Sequence, residues 1–202
     1  MYAEIVPMFS YLWWKCLGMV LAFPFPLIFL GSRVKQKYKT LISNILAAFL
    51  IFDAILIQIK TIALGTWNVT WVLPLQFCNV MAIIASVALI TRRQGSYEIG
   101  LFLGMITPCF AFITPALVYP AEGFFLFEYY ADHAVTVVTP IFLTVVMKMR
   151  PRPGAWWKMP LKFGFFLIPL YLFNWMVGAN YMFLLNSTTQ ENKGKWKNQN
   201  HS

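Results

Sequence analysis

Residues 41–60 read LISNILAAFLIFDAILIQIK, an almost unbroken apolar run in which Asp53 is the one carboxylate. At about 1.5 Å of rise per helical residue, twenty such residues span the roughly 30 Å hydrocarbon core of a bilayer. A soluble helix of this length needs a continuous polar face, and this run has too few polar residues to form one. The stretch therefore predicts a transmembrane helix whose carboxylate needs a polar partner inside the protein.

Five further apolar runs of similar length lie on either side of this one, with short polar segments between them. The six predicted spans are Ser10–Leu30, Thr40–Lys60, Trp71–Ile90, Ile99–Tyr119, Phe125–Met147 and Pro160–Leu184. We therefore predict an all-α polytopic membrane protein with one transmembrane domain over residues 1–185. Residues 186–202 are polar and rich in Asn and Lys, which predicts a disordered tail.

The composition of the whole chain supports a bilayer environment. Of its 202 residues, 59% are apolar and 11% are charged, whereas soluble domains contain about 25% charged residues. The net charge of +9 would suit nucleic-acid binding in a soluble protein, but here the basic residues lie between apolar runs, as orientation signals do. We therefore predict the lipid bilayer as a partner and no nucleic acid.

Basic residues are concentrated in alternate loops. Eleven of the 16 Lys and Arg residues fall within 33–39, 92–93 and 148–162, whereas the segments 61–70 and 120–124 contain none. Basic loops remain on the cytoplasmic side of a membrane. We therefore predict a multi-pass protein of the plasma membrane with both termini on the outer side.

Costly polar side chains recur inside four of the predicted spans. They are Asp53 in span two, Gln76, Cys78 and Asn79 in span three, Glu128, Asp132 and His133 in span five, and Asn174 and Asn180 in span six. Counted from the predicted outer ends of the spans, Cys78, Asn79 and Asp53 lie on the order of 10 Å deep, and His133 and Asn174 lie on the order of 15 Å deep. Ionisable groups in a bilayer normally face the bundle interior. Together with the prolines inside several spans, they predict kinked helices around a polar cavity in the outer half of the bilayer.

This cavity has two interpretations at the level of sequence. A buried hydrogen-bond network can simply hold the helices together, each contact adding less than ~2 kcal/mol. The other interpretation is a functional site, and for it Cys78 and His133 are the best nucleophile and base in the spans. A thiol attacks as the thiolate and needs a base or cation close by. Glu128 and Asp132 share a helical face beside His133 and are predicted to orient its imidazole.

Other chemistries find little support in the sequence. We find no Gly-rich phosphate loop, no metal-binding His cluster and no Ser nucleophile elbow. We therefore predict neither a metal site nor a cofactor.

A family resemblance rests on the polar motifs of spans three to six. It is carried by Leu73-Pro74-Leu75-Gln76-Phe77-Cys78-Asn79, Glu98, the Thr-Pro step of span four, His133-Ala134, Asn174 and Gly178-Ala179-Asn180-Tyr181-Met182-Phe183-Leu184. With these motifs the chain resembles the YwaF-type bacterial integral membrane proteins. That family is similar to a eukaryotic transmembrane family proposed to act as a cysteine-dependent phospholipid acyltransferase, and more remotely to the androgen-induced membrane hydrolases of fatty-acid esters. The family pattern usually has His where this chain has Gln76, and often Asp where it has Asn79.

The resemblance implies that Cys78 is the acyl-accepting nucleophile and His133 its base. Our leading hypothesis is an intramembrane acyltransferase or lipid-ester hydrolase that acts on a lipid or acyl substrate. The residues predicted to bind that substrate are Asp53, Gln76, Asn79, Asn174 and Asn180. A small-solute transporter or substrate-capturing subunit that uses the same cavity, and a non-catalytic accessory protein, are the alternatives. The sequence predicts neither the oligomeric state nor the identity of the substrate.

Overall fold

A computed structural model describes residues 4–113, 115–117 and 123–185 of the chain. The helices are α1 Tyr11–Ala22, α2 Pro24–Arg33, α3 Gln36–Ala63, α4 Phe77–Thr91, α5 Gln94–Ile99, α6 Ile106–Ile113, α7 Gly123–Val145 and α8 Ala155–Val177. A π-helical turn, Gly100–Gly104, joins α5 to α6, and a 3-10 turn, Tyr181–Phe183, follows α8. Two short strands, β1 Glu4–Ile5 and β2 Ala116–Leu117, pair antiparallel. The fold is thus of the predicted all-α class, and the predicted tail, residues 186–202, lies outside the described residues.

Four helical stretches are long and apolar enough to cross a membrane. They are Tyr11–Arg33, Gln36–Ala63, Gln94–Ile113 and Ala155–Val177. The 23-residue α7 and the shorter apolar helix α4, of 15 residues, run between them in the sequence. The chain is therefore a polytopic membrane protein. That it has six spans stays a prediction, in which α4 and α7 are the two spans besides these four.

Several span boundaries differ from the sequence prediction. Spans two, four and six begin at Gln36, Gln94 and Ala155 rather than at Thr40, Ile99 and Pro160. Span four was expected to reach Tyr119, but its helix ends at Ile113 and residues 116–117 form a strand.

Span three was expected from Trp71, but α4 begins at Phe77 and residues 71–76 form turns. Pro74 explains this, because a proline disfavours the helical conformation in the residue before it. Span six was expected to reach Leu184, but α8 ends at Val177, where Gly178 adopts the left-handed conformation with φ +75°. Glycine is the residue that most readily ends a helix in this way.

The regular α-helical pattern is interrupted in two of the spans that the structure describes. The first breaks between α1 and α2 at Phe23, directly before Pro24. The fourth is interrupted by the π-helical turn, in which Gly100 and Gly104 are both buried. A Cβ atom placed on Gly104 would lie 3.7 Å from the sulfur of Met81. That distance is an ordinary van der Waals contact, so this irregular turn packs against α4 and has room for a Cβ atom at position 104.

One half of the bundle has a packed apolar core. Tyr97, Phe142 and Leu143 are all 0% exposed there and belong to one hydrophobic cluster with residues of α3 and α4. Helices α5 and α7 contribute these side chains at the ends nearest the basic loops. The ionisable residues Asp53, Glu128, Asp132 and His133 lie toward the opposite half, where the spans were predicted to hold them.

The basic loops meet one another at this packed end. Lys39 Nζ donates to the Val146 carbonyl at 3.3 Å. The Arg152 guanidinium donates to both carboxylate oxygens of Glu98, at 3.0 Å to Oε1 and 2.7 Å to Oε2. The first turn of α3, helix α5 and the segment after α7 thus lie on the same side of the bundle, as alternating spans require.

Candidate active site

A cavity of about 760 Å³ lies between α3, α4 and α7 and extends along α4 from Gln76 to Ile90, with its ionisable residues toward the end away from the basic loops. Seven of the predicted site residues line it: Asp53, Gln76, Cys78, Asn79, Glu128, Asp132 and His133. The other lining residues are largely aliphatic and come from α3 and α4. Polar groups from three helices therefore share one mostly apolar space, which we call the active-site cavity.

Cys78 lies in the first turn of α4. The residue before the helix, Gln76, has an extended backbone with ψ 152°, and the helix starts at Phe77. This break in the chain points the positive end of the α4 dipole toward the cavity end of the bundle. A negative charge on a thiolate or an oxyanion is favoured at such a helix N-terminus.

His133 is 8% exposed, and its imidazole is oriented by the backbone of its own helix. Its Nδ1 atom lies 2.6 Å from the carbonyl oxygen of Tyr129, one turn earlier in α7. Because a carbonyl oxygen only accepts, Nδ1 carries the proton and Nε2 is left with a lone pair. The nearest Asp132 oxygen is 4.0 Å from Nδ1, which is beyond hydrogen-bond distance. The orienting contact that was predicted from a carboxylate thus comes from the Tyr129 carbonyl.

Glu128 contacts α3 rather than the imidazole. Its carboxyl group is hydrogen-bonded to that of Asp53, which is 7% exposed. Two carboxyl groups share a hydrogen bond only when one of them carries a proton. The pair therefore bridges α3 and α7 at the wall of the cavity, while Asp132 supplies a third carboxyl group beside it.

The two asparagines predicted to bind substrate have structural partners instead, and neither lines the described cavity. Asn174 is 0% exposed, and its amide both donates to the Tyr181 carbonyl at 2.9 Å and accepts from the Tyr181 N–H at 3.0 Å. Asn180 Oδ1 accepts from the Leu185 N–H at 2.9 Å. Both side chains thus hold residues 178–185, where the chain turns back after α8.

The returning segment, residues 178–185, forms part of the cavity wall. Gln76 Oε1 accepts from the Met182 N–H at 3.1 Å, and the Tyr181 hydroxyl donates to the Val69 carbonyl at 2.8 Å. Phe183, in the same segment, is 85% exposed and lines the cavity. Phe183 belongs to the motif that carries the family resemblance, but its contact with the cavity was not predicted, because a return loop has no residue signature. The Tyr129 carbonyl was not predicted either, because a backbone acceptor has none.

The sequence profile of the TMEM164 family matches residues 6–195 of the chain. The protein belongs to the TMEM164 family. A comparison with curated proteins and one with solved structures found no match. The match covers every residue of the active-site cavity, so the family assignment extends to the site. The narrower resemblance of this TMEM164-family chain to YwaF-type bacterial proteins stays a prediction.

The TMEM164-family chain thus brings together a thiol, an imidazole with a lone pair on Nε2 and three carboxyl groups. Across residues 4–113, 115–117 and 123–185, no group of three or more His, Cys, Asp and Glu side chains is arranged to hold a metal ion. The chemistry available from the described side chains is nucleophilic attack with proton transfer, or the binding of a polar or cationic group.

Proposed function

We propose that this TMEM164-family protein is a membrane-embedded acyltransferase or lipid-ester hydrolase, with Cys78 as nucleophile and His133 as general base. The observation that carries the proposal is that the two residues, from separate helices, line one cavity. The Nδ1 proton of His133 is directed at the Tyr129 carbonyl, so Nε2 is the atom that accepts a proton. A nucleophile activated by a positioned base is the arrangement that acyl transfer requires.

The first half of the proposed reaction makes an acyl-enzyme. His133 Nε2 takes the thiol proton of Cys78, and the sulfur forms a bond to the ester carbonyl carbon of a membrane lipid. The tetrahedral adduct then collapses, the bond from this carbon to the alcohol oxygen breaks, and His133 returns the proton to that oxygen. The products are a thioester on Cys78 and a lipid with one acyl chain fewer.

The second half releases the acyl group. An acceptor alcohol or a water molecule gives its proton to His133 Nε2 and attacks the thioester carbonyl carbon. The carbon–sulfur bond breaks, and the proton passes from His133 to the sulfur of Cys78. An alcohol acceptor gives acyl transfer, and water gives ester hydrolysis.

The surroundings of the pair support a lipid substrate. The cavity volume of about 760 Å³ lies in the range of roughly 300–1,000 Å³ that is usual for ligand sites. Ile51, Ile55 and Ile83 offer apolar surface for an acyl chain. Asn79, in the first turn of α4, supplies an amide near the nucleophile, where it can stabilise the oxyanion.

The test is acyl turnover by the purified protein in nanodiscs that contain a phospholipid with a labelled acyl chain. We expect Cys78→Ala to abolish turnover and His133→Ala to lower it by roughly 10²–10⁴-fold, the usual contribution of a positioned base. Cys109→Ala is the matched control, because it removes an exposed cysteine and is expected to leave turnover unchanged. Unchanged turnover in both Cys78→Ala and His133→Ala would end the proposal.

A second candidate function is capture or transport of a small cationic solute. Three carboxyl groups that line the cavity, those of Asp53, Glu128 and Asp132, favour it, because carboxylates bind cations. Thermal stabilisation of the protein by such a solute, unaffected by Cys78→Ala and lost in Asp132→Asn, would support this function over the enzyme.

A further inference from the structure

A second cavity, of about 660 Å³, lies on the other side of α7, between α1, α3 and α7. Its apolar lining includes Leu12, Cys16 and Val20 of α1, Phe49 of α3, and Phe127 and Ala131 of α7. We call it the α1/α7 groove. Positions 128, 129, 132 and 133 of α7 face the active-site cavity, whereas 126, 127, 130, 131, 134 and 135 face the groove. The proposed reaction therefore makes no use of it.

Two polar groups interrupt this apolar lining. Tyr130 is 4% exposed, and its buried hydroxyl has no hydrogen-bond partner among the described residues. Such a group is costly unless a ligand satisfies it. Lys15 also lines the groove, but its side chain is exposed. A lysine near the start of a membrane helix extends its ammonium group to the lipid headgroups.

The order of these groups along the helices matches the order of groups in a phospholipid. Counted from the first residues of α1 and α7 at ~1.5 Å per residue, Lys15 lies about 6 Å and Tyr130 about 10 Å deep. Apolar side chains continue to Phe23, about 18 Å from the start of α1, which is close to the roughly 15 Å thickness of one hydrocarbon leaflet. With increasing depth in the membrane, the groove thus presents the ammonium group of Lys15, the hydroxyl of Tyr130 and then an apolar stretch, which we call the trough.

We propose that the α1/α7 groove binds one glycerophospholipid from the leaflet at the α1 N-terminus. Its phosphate pairs with Lys15, an acyl ester carbonyl accepts from the Tyr130 hydroxyl, and one acyl chain fills the trough. Charge complementarity and the unpartnered hydroxyl set this site apart from the ordinary lipid-facing surface. The site stands independently of the reaction proposed for Cys78 and His133.

The experiment uses the full-length protein in phosphatidylcholine nanodiscs that contain a phosphatidylcholine with a diazirine at the middle of one acyl chain. After irradiation, labelled peptides are quantified by mass spectrometry. We expect labelling to concentrate on α1 and α7. Ala131→Trp fills the trough and lowers this labelling about tenfold, whereas Lys15→Gln and Tyr130→Phe each lower it about fivefold.

The matched control is Ile168→Trp on the exposed surface of α8, where Ile168 is 59% exposed and the same bulk leaves the groove unchanged. Groove labelling that equals labelling of α8 and persists in Ala131→Trp would overturn the proposal. The proposal would also be overturned if a diazirine fatty acid labelled the groove as strongly as the phosphatidylcholine did and Lys15→Gln left the groove labelling unchanged. If Ala131→Trp fails to fold, the exposed variant Lys15→Gln tests the proposal instead. Cys78→Ala is expected to retain groove labelling whether or not it retains acyl turnover.

Discussion

His133 donates its Nδ1 proton to a carbonyl oxygen at 2.6 Å and has the nearest carboxylate oxygen at 4.0 Å. The correct tautomer of the imidazole therefore does not require Asp132. We expect Asp132→Asn to lower acyl turnover by less than about tenfold, because the amide keeps the shape and removes only a distant charge, whereas His133→Ala lowers it by roughly 10²–10⁴-fold. Steady-state turnover in nanodiscs measures both.

The control for this comparison is the thermal unfolding midpoint of each variant. Asp132→Asn and His133→Ala must both fold for their activities to be compared. A loss in Asp132→Asn as large as that in His133→Ala would show that the carboxylate, and not the Tyr129 carbonyl, sets the state of the imidazole.

The hydrogen bond between Asp53 and Glu128 leads to a second prediction about single residues. Glu128→Gln keeps a donor toward Asp53, whereas Glu128→Ala leaves a buried carboxyl group without this partner. We expect Glu128→Ala to lower the free energy of unfolding by about 1–2 kcal/mol and Glu128→Gln by clearly less. Reversible unfolding in detergent measures both values, and equal losses would contradict the shared hydrogen bond.

Among the helices and loops, the segment that follows α8 shows what the sequence can and cannot predict. Apolar length predicted the spans, because a bilayer imposes a minimum run of residues on every helix that crosses it. Counting residues from the predicted outer ends of the spans also placed Cys78, His133 and Asp53 at a similar depth in the membrane. It did not predict that Asn174 and Asn180 cap a returning loop, since depth along a helix says nothing about the chain that folds back onto it. The break at Gly178 was visible only as a glycine within an apolar run.

Asn174 is predicted to stabilise this loop rather than to bind substrate. Asn174→Ala removes two buried hydrogen bonds to Tyr181, so we expect it to lower the free energy of unfolding by about 1–3 kcal/mol. The exposed Asn44 on α3 is the matched control, and Asn44→Ala is expected to change stability little. Substrate affinity that falls in Asn174→Ala while stability is unchanged would refute the structural role.

At the scale of the whole molecule, the bundle separates a packed end from an end with a cavity. Tyr97, Phe142 and Leu143 fill the end beside the basic loops, so the helices are fixed there. The other end is left open to a cavity with polar groups from α3, α4 and α7. This division was predictable from the depth of the polar residues. The partners of each polar group were not, because they depend on how the helices are rotated against one another.

The membrane orientation remains a prediction that follows from the basic loops. The positive-inside rule places Lys37 on the cytoplasmic side and Leu64, at the opposite end of α3, on the outer side. We therefore expect a membrane-impermeant maleimide to label Leu64→Cys in intact cells and Lys37→Cys only after permeabilisation, with Cys109→Ala as the background. Labelling of Lys37→Cys in intact cells would reverse the orientation.

The central claim is that the thiol of Cys78 takes up an acyl group from a membrane lipid inside the active-site cavity. Intact-protein and peptide mass spectrometry of protein quenched during turnover tests it most directly. The predicted result is one acyl group on Cys78, which hydroxylamine removes. The Cys109→Ala variant is expected to carry the same acyl group, and neither Cys78→Ala nor His133→Ala is expected to accumulate one. Lipid turnover that continues while Cys78 stays unmodified in every sample would contradict the claim.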